Sequence, residues 1–299
     1  MRSIAIINQR GGVGKTTTAV NLSAALAEAG QRVCLIDLDP QAHASLHLGF
    51  IVEENQMSMY DVLTDQARLD EVRFQVDDHL WLAPAHIDLA AAEMELAGEV
   101  GREIILRDRI REDQSSPDGG FDFYIFDCPP SLGVLTLNAL TTADEVFLPL
   151  QPHFLALHGL SKLLHTVELV GRRLNPGLVL SSVVYCMFDN GTRLAGEVVN
   201  DVEEFLATQR GTDSPWANAH SFDTRIRRNI RLAEAPSHGQ SIFQYSPSSN
   251  GSQDYYSLAA EVMKQTETAA LESPVQSVED EDESLVTKQE KPKAVRTVR

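Results

Sequence analysis

The chain has 299 residues, 43% of them hydrophobic and 23% charged, which is enough apolar material for a sizeable core and excludes wholesale disorder. Lysine and arginine number 25 against 43 aspartates and glutamates, a net charge of −18. Such a surface repels nucleic acid and acidic membranes unless positive charge is gathered locally. The longest apolar stretches, such as Leu178–Met187, fall short of the ~20 residues of a membrane-spanning helix, and Met1 leads into an apolar strand pattern with no cleavable signal. A cytoplasmic protein without membrane insertion is expected. Cys34, Cys128 and Cys186 lie far apart in apolar runs and read as buried free thiols.

In chain order, apolar, β-branched or aromatic runs at Ser3–Asn8, Arg32–Asp39, Leu80–Ala83, Phe121–Asp127, Glu145–Leu150 and Leu178–Met187 predict buried strands. Helical spacing fills Lys15–Ala29, Ile87–Arg111, Gly133–Thr142, Leu157–Leu174, Arg193–Ala207 and Asp254–Lys264. This alternation predicts an α/β fold, a doubly wound, mostly parallel sheet covered on both faces. Its ligand belongs at the carboxyl ends of the strands. Residues 1–270 are expected to form one domain. From about Leu271 the chain carries Pro274, the acidic run Glu279–Glu283 and then Lys288, Lys291, Lys293, Arg296 and Arg299, the composition of a disordered acidic-then-basic tail over 271–299.

The first strand runs into Gln9-Arg10-Gly11-Gly12-Val13-Gly14-Lys15-Thr16-Thr17-Thr18. Glycines here let backbone N–H groups turn inward around a phosphate, and the following helix N-terminus adds its partial positive charge. Gly11, Gly12, Val13, Gly14, Lys15, Thr16 and Thr17 form the expected nucleotide-binding set. Lys15 would reach the β- and γ-phosphates, and the Thr16 hydroxyl would coordinate Mg²⁺. The ordinary P-loop pattern fails at one place, because the glycine expected five positions before Gly14 is Gln9. The second strand ends in Asp37-Leu38-Asp39-Pro40-Gln41, which sets Asp37 and Asp39 on one side at period two. Two carboxylates there suit Mg²⁺ ligation through water and orientation of an attacking water. The strand ending at Asp127 has the Walker B pattern, with Asp127 expected to hold Mg²⁺ through water and to hydrogen-bond Thr16. His43 and His47 share i, i+4 spacing but lack a glutamate directly after His43 and an evident third ligand, so they read as a surface or partly buried pair. Cys128 alone cannot supply the thiolates of an iron–sulfur cluster.

The run from Arg10 through Thr17 resembles the deviant Walker A box of the ParA/MinD family of ATPases. That resemblance implies ATP and Mg²⁺ as cofactors and a homodimer that sandwiches two nucleotides. In it a basic residue reaches the partner's phosphates; here the position holds Arg10 where the family usually has lysine. It also assigns water positioning to Asp39, in the Asp-x-Asp-Pro-Gln motif. Leu132–Leu140, Gln151–Gly159 and the block Arg228–Gly239 are similar to the chromosome-partitioning ParA/Soj branch. From that branch follow a base pocket that includes Met187 and Asn229, a ParB-like activator, slow intrinsic turnover, and a nucleoid-associated protein that binds DNA without sequence preference. Arg227 stands where relatives usually carry proline. Arg225, Arg227, Arg228 and Arg231 put four guanidinium groups within seven residues, and Arg193 resembles a DNA-contacting arginine of the family; clustered charge of this kind suits phosphate contacts. The alternative for these arginines is a solvated basic face pairing with this protein's many acids. Two rival functions stay open: a positioning switch for a non-DNA protein cargo, and a biosynthetic ATP-dependent carboxylate-activating enzyme on the same fold.

Overall fold

Apolar runs rich in branched and aromatic residues form eight strands: β1 (Arg2–Ile6), β2 (Val33–Asp37), β3 (Phe74–Asp77), β4 (Leu80–Ala83), β5 (Phe123–Asp127), β6 (Glu145–Leu150), β7 (Val179–Tyr185) and β8 (His220–Ser221). The helices are α1 (Lys15–Glu28), α2 (His43–His47), α3 (Met59–Leu63), α4 (Leu69–Val72), α5 (Leu89–Glu95), α6 (Ile105–Gln114), α7 (Val134–Thr142), α8 (Leu160–Arg173), α9 (Arg193–Gln209), α10 (Ile230–Glu234), α11 (Ile242–Tyr245) and α12 (Asn250–Glu272). The computed structural model describes residues 1–116, 118–153 and 160–272. Among them, no helix is long and apolar enough to cross a membrane.

The strands form one sheet in the order β3-β4-β2-β5-β1-β6-β7-β8. Only the β3–β4 pair is antiparallel. Side chains alternate between the two faces, as the pleat requires. On β1, Ile4 and Ile6 pack with α1 and α12, whereas Ala5, and Ile7 just beyond the strand, pack with the layer that contains α3 through α9. Residues of β2 and β5 divide in the same way, Leu35 and Ile125 toward α1, Ile36 and Phe126 away from it. Register aligns Ile6 of β1 and Asp37 of β2 with Asp127 of β5, so three central strands deliver their carboxyl ends to one level. The site is built there.

The doubly wound, mostly parallel sheet matches the sequence expectation, with differences in detail. β1 and β2 end two residues before the predicted Asn8 and Asp39. The predicted helical stretch Ile87–Arg111 is divided into α5, one 3₁₀ turn at Leu96–Gly98 and α6, the last two parted by residues 99–104. β3 and β8 were not anticipated; β3 is short and half exposed, and β8 has two residues. Helix α8 starts at Leu160, and residues 154–159, which fall within the stretch Gln151–Gly159, lie outside the described residues. Helix α12 continues to Glu272; the rest of the expected tail lies outside the described residues. All three cysteines are buried and free.

Candidate functional site

Just beyond β1, Asn8 fixes the start of the loop. Its Nδ2 donates to the Pro149 carbonyl at 2.7 Å and its Oδ1 accepts from the Arg10 N–H at 3.0 Å. Gly12 and Gly14 turn the chain at φ of 73° and 96°, the left-handed region closed to most side chains. A Cβ on Gly14 would also sit 3.2 Å from Cβ and Sγ of Cys186. Gly14 caps α1 without a side-chain acceptor, and no acid lies in the first turn. The first N–H groups of this 14-residue helix therefore remain available to an anion. Lys15 is buried, and its Nζ donates to the Arg10 carbonyl at 3.0 Å. Burial pulls its pKa down, against the opposing pull of Asp127 and Asp39.

Three carboxylates face this lysine's neighbourhood. Asp39 is not on β2 as the period-two spacing implied: the strand stops at Asp37, whose Oδ1 accepts the Asp39 N–H at 3.1 Å and so starts a turn. Asp39 Oδ1 in turn accepts the Gln41 N–H at 3.0 Å. Asp37 Oδ2 accepts the N–H and hydroxyl of Ser45 at 2.9 and 2.8 Å. Asp37 thus braces α2 beneath the turn. Burial raises its pKa to about 6. Asp127 is also buried, and neither of its oxygens has a hydrogen-bond partner. Burial and then the charge of Asp37 drive its pKa well up, and the nearby Thr16 hydroxyl and Lys15 offset this in part. An unpartnered buried carboxylate beside a hydroxyl is a donor set that fits Mg²⁺.

The loop opens on a cavity of about 710 Å³ bordered by Lys15, Thr16, Asp39, Gln41, His47 and Pro130. A second cavity of about 420 Å³ adjoins it across Gly12, Gly14 and Thr17, with Met187 and Asn229 in its wall. These two residues were expected around the base. The sequence reading missed Cys186 and Tyr255, which line the same cavity. Thr18 lies within hydrogen-bonding distance of both, 3.2 Å from the Tyr255 hydroxyl and 3.5 Å from Cys186 Sγ. No local signal marks them. His43 is exposed, whereas His47 is buried at the edge of the larger cavity.

The arginines are dispersed in role. Arg193 is exposed and bonded to Glu197 at 2.8 Å. Arg225 lies over the Phe188 ring, 4.6 Å from its centre. Arg228 is exposed. Arg231 pairs with Glu234 at 2.7 Å. Arg227, expected with the DNA-facing group, is instead locked onto Asp254 of α12 at 2.6 Å and lines the smaller cavity.

A family model described as an AAA domain matches residues 1–180. The sporulation initiation inhibitor protein Soj of Bacillus subtilis is 43% identical over 260 residues, 87% of this chain and 97% of the relative. The chromosome partitioning protein ParA of Myxococcus xanthus is 41% identical over 264 residues, 88% of each chain. Among solved structures, cobyrinic acid a,c-diamide synthase from Mycobacterium smegmatis, with bound ADP and magnesium, superposes with a TM-score of 0.74 at 33% identity, covering 90% of this chain and 96% of that one. The cell division ATPase MinD of Pyrococcus furiosus shares the fold, with a TM-score of 0.69 at 23% identity over 88% of this chain and 99% of that one. With the loop, the paired acidic strand ends and this extent of identity together, the chain belongs to the ParA/Soj family of chromosome-partitioning ATPases.

Proposed function

We propose that this chain hydrolyses ATP with Mg²⁺, dimerises around two nucleotides, binds DNA nonspecifically in that state, and is stimulated by a ParB-like partner, as a nucleoid-associated component of DNA partitioning. Residues 1–270 are the ATPase unit in this reading. The observation that carries the nucleotide assignment is the buried Asp127, its oxygens unpartnered, beside a glycine-lined helix N-terminus and a buried lysine. Gly11 through Thr17 hold the phosphates. Lys15 exchanges the Arg10 carbonyl for phosphate oxygens, a stronger charge-assisted bond. Thr16 and Asp127 would hold Mg²⁺, which when bound neutralises charge developing on the transferred phosphoryl group. Asp39 orients the attacking water, its backbone fixed by Asp37. Arg10 reaches the partner protomer's phosphates. Arg193, Arg225, Arg228 and Arg231 contact DNA; the exposed pairs Arg193–Glu197 and Arg231–Glu234 are weak in water and exchange readily for phosphate.

Dimerisation and binding to random-sequence DNA, measured together with ATP, ADP and no nucleotide, test this reading. Lys15→Ala should abolish both responses while leaving the circular dichroism melt intact. Asp39→Ala should accumulate the ATP dimer and its DNA complex. Adding Arg228→Ala and Arg231→Ala to that background should weaken binding equally for unrelated sequences, each lost phosphate contact reducing the slope of log K against log salt by about 0.9. A trapped dimer with no DNA affinity at low salt would replace partitioning with the positioning of a protein cargo. The likeness to the Mycobacterium smegmatis synthase supports a second reading, activation of a small-molecule carboxylate, which requires turnover dependent on a metabolite and indifferent to DNA.

A further inference from the structure

Besides the phosphate loop, the smaller cavity is walled by three chain segments that meet only through tertiary contacts. Residues 185–188 and 226–228 are zipped together: Ile226 N–H donates to the Tyr185 carbonyl at 2.8 Å, Phe188 N–H to Ile226 at 2.9 Å, and Arg228 N–H to Phe188 at 3.1 Å. Met187 sits inside this turn at φ 50°. Asn229 then caps α10, its Oδ1 accepting the Arg231 N–H at 2.9 Å. The third wall is α12, which brings Tyr255 to Thr18 in the first turn of the phosphate-binding helix.

What ties the Asn229 segment to α12 is the pair Arg227–Asp254. Asp254 is buried, and it receives four hydrogen bonds from one residue: the Arg227 backbone N–H at 2.9 Å, Nε at 3.0 Å to each oxygen, and Nη2 at 2.6 Å. A proline at position 227 would have neither the N–H nor the guanidinium and would make none of these bonds. The same Arg227 lines the cavity next to Asn229.

We propose that the Arg227–Asp254 pair is a positioning element for the nucleotide base, holding the Met187 and Asn229 wall against α12 so that the cavity fits a purine. The inference rests on the nucleotide reading of the site. The triphosphate is gripped by Gly11 through Thr17 in this reading, so that grip is independent of the pair. The base-dependent share of the affinity depends on the pair.

The test uses the full chain and compares binding of Mg²⁺·ATP, Mg²⁺·GTP and Mg²⁺·tripolyphosphate, the last carrying no base. Asp254→Asn, which preserves shape, Arg227→Ala, Arg227→Lys and the Arg227→Ala/Asp254→Asn double variant are measured beside the unaltered protein, with circular dichroism to establish folding. Arg227→Ala and Asp254→Asn should each weaken ATP binding roughly tenfold and erode the preference for ATP over GTP, with tripolyphosphate unchanged. Arg227→Lys, which keeps the backbone bond and one charge, should recover part of the loss. The double variant should be no worse than the poorer single, as expected for one shared interaction. ATP and tripolyphosphate weakening in parallel, an unchanged ATP to GTP ratio in the folded Asp254→Asn protein, or additive losses in the double variant would each overturn the proposal. If the unaltered chain binds no nucleotide, the underlying reading fails as well, a result distinct from normal ATP binding by every variant.

Discussion

Replacing Asp127 with asparagine should make the nucleotide-free protein more stable and its nucleotide complex less so. Asp127 is 1% exposed, and neither oxygen has a hydrogen-bond partner. Burial, and then the neighbouring Asp37, hold its pKa well above the ordinary carboxylate value, with Lys15 opposing. A folded-state pKa above the unfolded value of about 3.9 means that the folded protein retains a proton the unfolded chain has released. Stability therefore declines as pH rises above that value. Asparagine keeps the shape and does not titrate, so its advantage is absent below about pH 4 and grows toward neutrality. Relief of such functional strain is typically worth about 0.5–2 kcal/mol, or about 1–8 °C in melting temperature for a domain of this size. Saturating ATP and Mg²⁺ should reverse the order. At a hundredfold excess over Kd, binding stabilises the native protein by about 2.7 kcal/mol, and the Mg²⁺-dependent share should vanish in Asp127→Asn. Thermal melts from about pH 4 to about pH 8, with ATP in the presence and absence of Mg²⁺, measure both effects. A variant less stable than the parent near pH 8 without nucleotide, or one with an undiminished Mg²⁺-dependent shift, would refute the argument.

His47 lies buried with its Nε2 unpartnered, and burial lowers its pKa from 6.5 to about 4, a hydrogen bond to the Gln240 backbone offsetting part of the effect. The unfolded chain binds the proton first, so this residue's share of stability is lost as pH falls from 6.5 to about 4; His47→Gln should flatten the decline in urea-unfolding free energy by up to about 1.4 kcal/mol per pH unit, and an unaltered slope would show that His47 charges freely in the fold. Gly239 adopts φ 64°, and a Cβ there would fall 2.7 Å from the Gly49 Cα. Gly239→Ala should cost about 1–3 kcal/mol, distinctly more than Gly30→Ala, whose φ is also positive but whose Cβ would meet open space; equal losses in denaturant titrations would refute the backbone contact.

The phosphate loop was legible because its parts are contiguous: the geometry needed by Gly14, Lys15 and Thr16 is specified within a few residues of each other. The central strands were legible for a related reason. Buried on both faces, β5 and β6 are continuous apolar runs whose carboxyl ends or bounds the composition marks. Asp39 was misplaced because alternation cannot reveal that the Asp37 side chain captures the Asp39 N–H and ends the strand. The lining of the smaller cavity was half legible. Met187 and Asn229 followed from resemblance, but Tyr255 meets Thr18 across 237 residues, and nothing local to either residue announces the other. The partner of Arg227 was hidden in the same way: within the sequence it is one of four clustered cations, and only the fold brings Asp254 to it.

Net charge sets the electrostatic problem of the proposed DNA interface. A chain of net charge −18 must bind a polyanion with Arg193, Arg225, Arg228 and Arg231, of which Arg193 and Arg231 already rest on Glu197 and Glu234. One protomer presents few contacts, and long-range repulsion opposes each. Because nonspecific affinity scales with the number of phosphates neutralised, doubling the set in a nucleotide dimer roughly doubles the favourable free energy, while the entropic cost of association with DNA is incurred once. Under the proposed function the acidic surface would serve the switch, holding the affinity of the single protomer low and leaving the ATP dimer as the form that binds. On this argument neutralising Glu197 and Glu234 should raise DNA binding by the nucleotide-free protomer and narrow the contrast between its two states. An unchanged ratio of ATP-dependent to ATP-independent binding in that double variant would show that net charge does not set the gate.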